Sequence, residues 1–223
     1  MKPWETLATA EAPGVGTLTL ARREDEYVLR VRGLTLMSSR QYGSEAAMAE
    51  AGCAALTTKP GAHVLVGGLG FGFTVRAALD LLRPDAKVTV AELMPPVVDW
   101  NRGLVSSLAR APLEDPRVEV VLGDVRRVMT RSGRTFDAIL LDVDNGPSPL
   151  TKADNVSLYD EIGLAIAYGA LRPGGKMVVW SAGEDSRFTL RMEEAGFVVQ
   201  VLRPAAHGTK GTRHTLFVGS RRK

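Results

Sequence analysis

The chain has 223 residues, of which 45% are hydrophobic, and its 28 Lys and Arg residues slightly outnumber its 25 Asp and Glu residues. This length suits one well-packed α/β domain with a small addition and is too short for two full domains. The small positive excess lies partly in the final Arg-Arg-Lys, which predicts a solvated end and no nucleic-acid partner. No apolar run approaches membrane-spanning length and the first residues lack the order of a signal peptide, so we expect a cytoplasmic protein without a membrane partner.

Residues 1–42 are predicted to form a small β-hairpin element. Short β-prone runs occupy residues 17–23, 27–33 and 34–39, with a charged turn between the first two. In the second run Val28, Arg30 and Arg32 alternate with more apolar residues, which favours a hairpin with one wet face.

The remaining unit, residues 43–223, begins with a predicted helix over Gly43–Leu56. Ser44 suits the N-cap of this helix, and Glu45 lies in its first turn. A Lys-Pro-Gly turn follows, and the residues after it, His63–Val66, are β-rich enough to form a buried strand.

A glycine-rich turn comes directly after that strand and is followed by a helical apolar pattern. A nicotinamide or flavin fingerprint, G-x-G-x-x-G counted from Gly68, would require a third glycine where Phe73 stands. The spacing is instead G-x-G-x-G, through Gly70 and Gly72, which is usual where S-adenosylmethionine lies along the loop. The alternative interpretation is a tight strand-to-helix turn that binds no ligand. Residues elsewhere in the chain are needed to distinguish the two interpretations.

Strands and helices alternate through the rest of the chain. Strands are predicted at residues 87–92, 117–122, 136–141, 176–181, 197–202 and 214–219, and helices begin at Pro95, Ser157 and Ser186. The 157–170 helix is predicted to turn Leu158, Ile162, Ala165 and Ile166 inward, and the helix from Pro95 to turn Val97, Trp100, Leu104 and Leu108 inward. This order predicts a doubly wound, Rossmann-like, mostly parallel sheet with right-handed crossovers. The last two strands are joined by a short Gly-rich loop and are expected to be antiparallel.

Three successive predicted strands have an acidic residue at or just past their end: Glu92, Asp124 and Asp142. In such a sheet the ligand crevice lies at the carboxyl ends of the strands. A carboxylate accepts two O–H donors at once, so Glu92 is placed to bind a ribose diol, and Asp124 is placed to accept the adenine amine or to cap the following helix. The predicted cofactor site comprises Gly68, Gly70, Phe71, Gly72, Glu92, Leu93, Asp124, Val125 and Asp142.

Asp142 and Asp144 are the candidates for chemistry. Two carboxylates on one loop, at the end of a buried strand, raise one another's pKa and hold a cationic amine close to an electrophile. A turn built on Asp-Asn-Gly-Pro explains Asp144 and Asn145 without chemistry, so Asp142 carries more weight. The three histidines lack the spacing of zinc ligands, and no metal is expected.

The segments VLVGGLGFGFTVRAAL, VTVAELMPPVVDWNR and FDAILLDVDNGPSPL resemble the polyamine aminopropyltransferase (spermidine synthase-like) family. The resemblance covers most of the chain and implies the fold of S-adenosylmethionine-dependent methyltransferases. It also implies transfer of an aminopropyl group from decarboxylated S-adenosylmethionine to a small amine, with Asp142 as the proposed base and Arg76 as the arginine of the family's loop helix. Relatives of this kind pair through sheet edges, so a homodimer is expected through the amino-terminal hairpins.

Two departures from the family pattern affect the expected activity. Phe71 stands where the family has the aspartate that binds the aminopropyl amine, and Asn145 stands where it has a second aspartate. Replacing an anion by Phe71 favours ordinary S-adenosylmethionine, whose carboxylate could pair with Arg40 or Arg76. Three functions therefore stay open: a spermidine synthase-like transferase, a small-molecule methyltransferase, and a non-catalytic nucleoside-binding relative. The presence of the three strand-end acids argues against the third.

Overall fold

A computed structural model of the chain describes residues 2–12, 14–40, 42–143, 147, 156–207 and 210–223. The described residues form a four-stranded antiparallel sheet and a seven-stranded mixed sheet flanked by helices. A two-stranded hairpin lies near the end of the chain. The predicted fold class is confirmed, whereas the division into units at residues 42 and 43 stays a prediction.

The amino-terminal sheet has the order β1-β2-β3-β4. Its strands are β1 Glu5–Ala12, β2 Gly16–Arg23, β3 Glu26–Val31 and β4 Leu34–Ser38. Strand β1 was not predicted, and it covers the edge of β2, so the free edges are those of β1 and β4. The expected alternation in β3 is also wrong, because Val28 is buried together with Leu29 and Val31, and the pairing of β3 with β4 shifts register after Leu29.

The remaining strands are β5 His63–Gly67, β6 Lys87–Glu92, β7 Val118–Leu122, β8 Phe136–Leu141, β9 Leu171–Ser181, β10 Val198–Leu202, β11 Ala205–His207, β12 Lys210–Arg213 and β13 Thr215–Ser220. The larger sheet has the order β10-β13-β9-β8-β5-β6-β7. Strand β13 runs antiparallel to both β9 and β10, as expected, while β5 to β9 are parallel. The hairpin of β11 and β12 lies in a segment that was predicted to be a loop.

Helices cover both faces of this sheet. They are α1 Gly43–Cys53, α2 Phe73–Leu81, α3 Pro95–Arg102, α4 Val125–Arg131, α5 Val156–Tyr159, α6 Glu161–Ala170 and α7 Ser186–Glu194, and short 3-10 turns occupy Ala54–Leu56, Ser106–Ala109 and Pro112–Glu114. Every residue of β8 is buried, as its apolar sequence predicted, because helices pack on both of its faces. None of the helices within the described ranges is long and apolar enough to cross a membrane.

The helix predicted over residues 157–170 is divided in two. Asp160 begins a new helix by accepting a hydrogen bond from the backbone N–H of Gly163 at 2.7 Å. This interruption changes the helical phase, so Ile162 is 63% exposed and Ala165 is also exposed, against expectation. Leu164 and Ala167 face the core instead.

Two further local predictions are wrong. Leu104 is half exposed because α3 ends before it, at Arg102, so the apolar spacing no longer places it on the buried face. Ser44 does not cap α1, since its hydroxyl donates instead to the carboxylate of Glu45, and Tyr42 occupies the cap position.

Candidate active site

The candidate site lies where the order of the sheet reverses. From β5 the chain continues to β6 on one side, whereas β8 lies on the other side, and this arrangement opens a crevice at the carboxyl ends of parallel strands. The backbone N–H of Asp142 donates to the carbonyl oxygen of Gly67 at 2.9 Å. The glycine turn and the first candidate carboxylate are therefore direct neighbours.

The glycines of the turn are required by the protein's own packing. Gly68 has φ of +87°, and a Cβ atom there would collide with the backbone carbonyl oxygen of Asp142. Gly72 has φ of +82° and stands at the N-cap of α2. A Cβ atom on Gly70 would lie 2.7 Å from the methyl carbon of Met37 on β4. The amino-terminal sheet therefore closes over the turn.

Glu92 holds the glycine turn against the end of β6. Its two carboxylate oxygens accept the backbone N–H groups of Leu69 and Met94, each at 2.8 Å, and the residue is 3% exposed. Burial raises the pKa of Glu92, and the backbone N–H groups oppose that rise. Each oxygen keeps a second lone pair, so this bracing is compatible with the predicted contact to a ribose diol, which stays a prediction.

Asn101 is a second brace that sequence reasoning missed. Its side-chain amide donates to the carbonyl oxygens of Gly70, at 2.7 Å, and Val97, at 2.9 Å, and the residue is 2% exposed. Among the described residues its buried Oδ1 atom has no hydrogen-bond partner. A single Asn near the end of an amphipathic helix carries no motif, so the sequence offered no signal for this role.

Asp142 is enclosed beneath the first turn of α2. The residue keeps some exposure, but its carboxyl group is surrounded by protein, and the hydroxyl of Thr74 donates to Oδ2 at 2.8 Å. Burial raises the pKa of Asp142, and the Thr74 hydrogen bond opposes the rise. Thr74 was not among the predicted site residues.

Glu45 is a second buried carboxyl group on which the charge of Asp142 acts, and sequence reasoning missed it. The residue is 8% exposed, and burial, followed by the charge of Asp142, raises its pKa to about 7. The Ser44 hydroxyl donates to Glu45 Oε2 at 2.7 Å and lies 3.0 Å from Nδ1 of His214. A signal was present, because helical spacing places Glu45 on the same buried face as Met48 and Ala49.

Three of the predicted cofactor-binding residues, Leu93, Asp124 and Val125, come directly after β6 or shortly after β7. Asp124 is exposed and caps α4, accepting the Arg126 backbone N–H at 2.8 Å, so the capping interpretation is confirmed. Leu93 is 52% exposed, whereas Val125 is 6% exposed and packs into the core. The contact of Asp124 with the adenine amine and the contacts of Leu93 and Val125 with the cofactor stay predictions.

Phe71 is buried in the core. Its side chain is 2% exposed and packs edge-on against Phe73, with ring centroids 6.4 Å apart. A contact between Phe71 and a bound ligand stays a prediction. Asp144 and Asn145 lie outside the described residues.

The two arginines considered as partners for a ligand carboxylate lie along a groove of about 740 Å³ that Phe73 also lines. Arg76 pairs with Asp80 at 2.7 Å, and Arg40 pairs with Asp25 at 2.6 Å. Their pairing with a ligand carboxylate stays a prediction, because both guanidinium groups already have carboxylate partners here. Within the described ranges, no group of three or more His, Cys, Asp or Glu side chains could hold a metal ion.

A protein-family comparison matches residues 48–207 to the family described as the spermine/spermidine synthase domain. The polyamine aminopropyltransferase of Nitrosomonas europaea is 36% identical over 115 residues, which are 51% of this chain and 33% of that protein. The polyamine aminopropyltransferase of Korarchaeum cryptofilum is 30% identical over 120 residues, which are 54% of this chain and 35% of that protein. The matched region thus spans about a third of the length of these relatives.

Solved structures show the same fold. The crystal structure of spermidine synthase from Thermotoga maritima superimposes with a TM-score of 0.75 at 17% identity, covering 97% of this chain and 72% of that one. A spermidine synthase in complex with the transition-state analogue AdoDATO gives the same values. Because the family match includes more than half of the chain, from within α1 to β11, the chain belongs to the spermine/spermidine synthase domain family.

Proposed function

We propose that the protein binds S-adenosylmethionine or its decarboxylated form at the glycine turn and transfers an alkyl group, of the aminopropyl type, to a small amine. One observation carries this proposal: the strand-end carboxyl group of Asp142 lies beside a glycine turn that Glu92 braces, at the point where the order of the sheet reverses. Membership of the family and the names of its aminopropyltransferase relatives support the same chemistry.

In this proposal one set of residues binds the nucleoside, and Asp142 accepts the proton. The Gly68 turn and Glu92 bind the ribose, and the exposed Leu93 and Asp124 border the adenine. The amine nitrogen attacks the carbon bonded to the sulfonium, so a C–N bond forms as the C–S bond breaks and its electron pair stays on sulfur. Asp142 takes the proton that the amine loses, and its raised pKa suits a general base.

Methyl transfer from ordinary S-adenosylmethionine is the second candidate. The observation that favours it is Phe71, which places a buried apolar ring where the family has an anion that binds the aminopropyl amine. A pocket without that anion has less reason to reject the carboxylate of the ordinary cofactor. A nucleoside-binding protein without catalysis is the third candidate.

Mass spectrometry of reaction products distinguishes the three functions. The protein is incubated with each form of the cofactor and with monoamines, diamines and triamines, and Asp142→Asn serves as the inactive control. An amine heavier by an aminopropyl group supports the first function, and a methylated amine supports the second. Binding without any product from either cofactor would overturn both transferase proposals.

A homodimer is part of the proposal. The described amino-terminal sheet has free edges at β1 and β4, which are available for pairing with a second copy. Light scattering should give the mass of two chains. A mass of one chain at high concentration would contradict this prediction and leave the proposed chemistry untouched.

A further inference from the structure

Helix α1 packs against α2, which carries the Thr74 partner of Asp142, and a line of polar side chains at the start of α1 is not used by the proposed transfer step. Glu45 accepts the hydroxyl of Ser44 at 2.7 Å, and that hydroxyl lies 3.0 Å from Nδ1 of His214. Ser44 and Glu45 are buried, at 1% and 8% exposed, whereas His214 is half-buried. The line therefore runs from an enclosed carboxyl group toward solvent.

The hydrogen bonds of this line can run in either direction. When Nδ1 of His214 carries hydrogen, it donates to Ser44, whose hydroxyl donates to the Glu45 carboxylate. When Glu45 carries the proton, it donates to Ser44, which then donates to Nδ1. Reversing these two hydrogen bonds moves one proton from Glu45 to His214, and the partly exposed imidazole can release it to water.

We propose that Glu45, Ser44 and His214 form a relay that carries the proton from Asp142 to solvent after each transfer. This inference rests on the proposed function. As the new C–N bond forms and the C–S bond breaks, the amine proton passes to Asp142, then to the neighbouring Glu45, and leaves through Ser44 and His214. The net products are the alkylated amine, the thioether nucleoside and one proton in water.

Several physical features fit a proton-carrying role. Burial, followed by the charge of Asp142, raises the pKa of Glu45 to about 7, so Glu45 exchanges its proton readily near neutral pH, and burial also raises the pKa of Asp142. Burial lowers the pKa of His214, whose ring packs 4.7 Å from that of Trp180, so the imidazole releases a proton readily.

Among the described side chains, several other charged groups on elements near α1 have partners of their own. Lys176 on β9 donates to the carbonyl oxygen of Ala51, at the opposite end of α1, and Arg213 before β13 donates to the carbonyl oxygen of Arg203. On α2, Arg76 pairs with Asp80 at 2.7 Å, and the uncharged Thr74 donates its hydroxyl to Asp142. Among the described side chains, His214 therefore contacts the start of α1 through Ser44, and the charge of Asp142 acts on Glu45.

The shared proton can be measured without turnover, by infrared difference spectroscopy of carboxyl groups during a pH titration. We expect a carboxyl group that titrates at about pH 7, is absent in Glu45→Gln and shifts downward in Asp142→Asn. Glu50→Gln, an exposed position on the same helix, is the matched control and should leave the signal unchanged. A Glu45 that titrates at the ordinary glutamate value of about 4.3 would overturn the relay.

Turnover tests the delivery of the proton. His214→Gly should lower kcat about 10-fold with little change in KM, and added imidazole should restore the rate, which a structural role would not explain. His63→Gln is the matched control, because His63 bonds Thr89 at the amino end of the strands. Transfer with unchanged kcat in both Ser44→Ala and His214→Gly would overturn the relay alone. The absence of transfer to any amine would overturn the proposed function and the relay together.

Discussion

Two sets of buried carboxyl groups lie at the same edge of the seven-stranded sheet, and the protein satisfies them differently. At the end of β6, both oxygens of Glu92 accept backbone N–H groups. At the end of β8, Asp142 accepts one hydroxyl, from Thr74, and lies next to a second carboxyl group, that of Glu45. Backbone N–H groups can only donate, and they favour the ionised form of Glu92, whereas two adjacent carboxylates disfavour each other's ionisation. This edge therefore holds one fixed acceptor and one pair suited to exchanging a proton.

Removing the carboxylate of Glu92 should have the largest effect on stability. Glu92→Ala leaves the N–H groups of Leu69 and Met94 buried without acceptors, at about 1 to 3 kcal/mol each, so the free energy of unfolding should fall by about 4 kcal/mol. Urea denaturation measures this change.

Glu119→Ala is the matched control, because Glu119 is an exposed strand residue paired with Lys87, and it should change stability by less than about 1 kcal/mol. Equal effects of the two substitutions would show that Glu92 does not brace the glycine turn.

The proton-exchanging pair should make stability depend on pH. The pKa of Glu45 is raised to about 7 from 4.5, so the folded state binds this proton more tightly than the unfolded state. Its stabilising contribution is complete below about pH 4.5 and is lost as the pH rises through about 7, on the order of 3 kcal/mol in all.

Urea denaturation across this pH range should show that the Glu45→Gln variant loses much less stability than the wild type as the pH rises. Glu50→Gln, on the exposed face of the same helix, should lose as much as the wild type. If the stability of the wild-type protein rises between about pH 5 and pH 8, and that of Glu45→Gln rises equally, the raised pKa of Glu45 is contradicted.

The hydrogen bond from the Thr74 hydroxyl to Asp142 should contribute less to the free energy of unfolding. Thr74→Val removes the donor, and the cost should be about 2 kcal/mol when Asp142 is ionised and smaller when it is protonated. Because the hydrogen bond lowers the pKa of Asp142, its loss should be felt more strongly at high pH. Denaturation at about pH 5 and about pH 9 measures the difference. Thr130→Val, at an exposed threonine, is the control, and an equal pH-independent cost in both variants would contradict this account.

The sequence predicted the parts of the site that depend on local pattern. The strand, glycine turn and helix around Gly68, and the acidic strand ends at Glu92 and Asp142, follow from residue order and the rules of parallel sheets. The roles of Ser44 and His214 do not, because they depend on a contact between residues 170 positions apart. Phe71 shows a related limit: a motif gives the position of a residue and leaves open whether its side chain faces the crevice or the core.

Calorimetry with methylthioadenosine, S-adenosylmethionine and decarboxylated S-adenosylmethionine tests most directly whether this edge binds a nucleoside through Glu92. The wild-type protein should bind at least methylthioadenosine, and Glu92→Gln should weaken binding by ~1.5 to 3 kcal/mol, which is about 10-fold to 100-fold, because a hydrogen bond to a charged group is lost. Glu119→Gln should leave the affinity unchanged. Equal affinity in a folded Glu92→Gln protein, or no binding of any of the three nucleosides, would contradict the account.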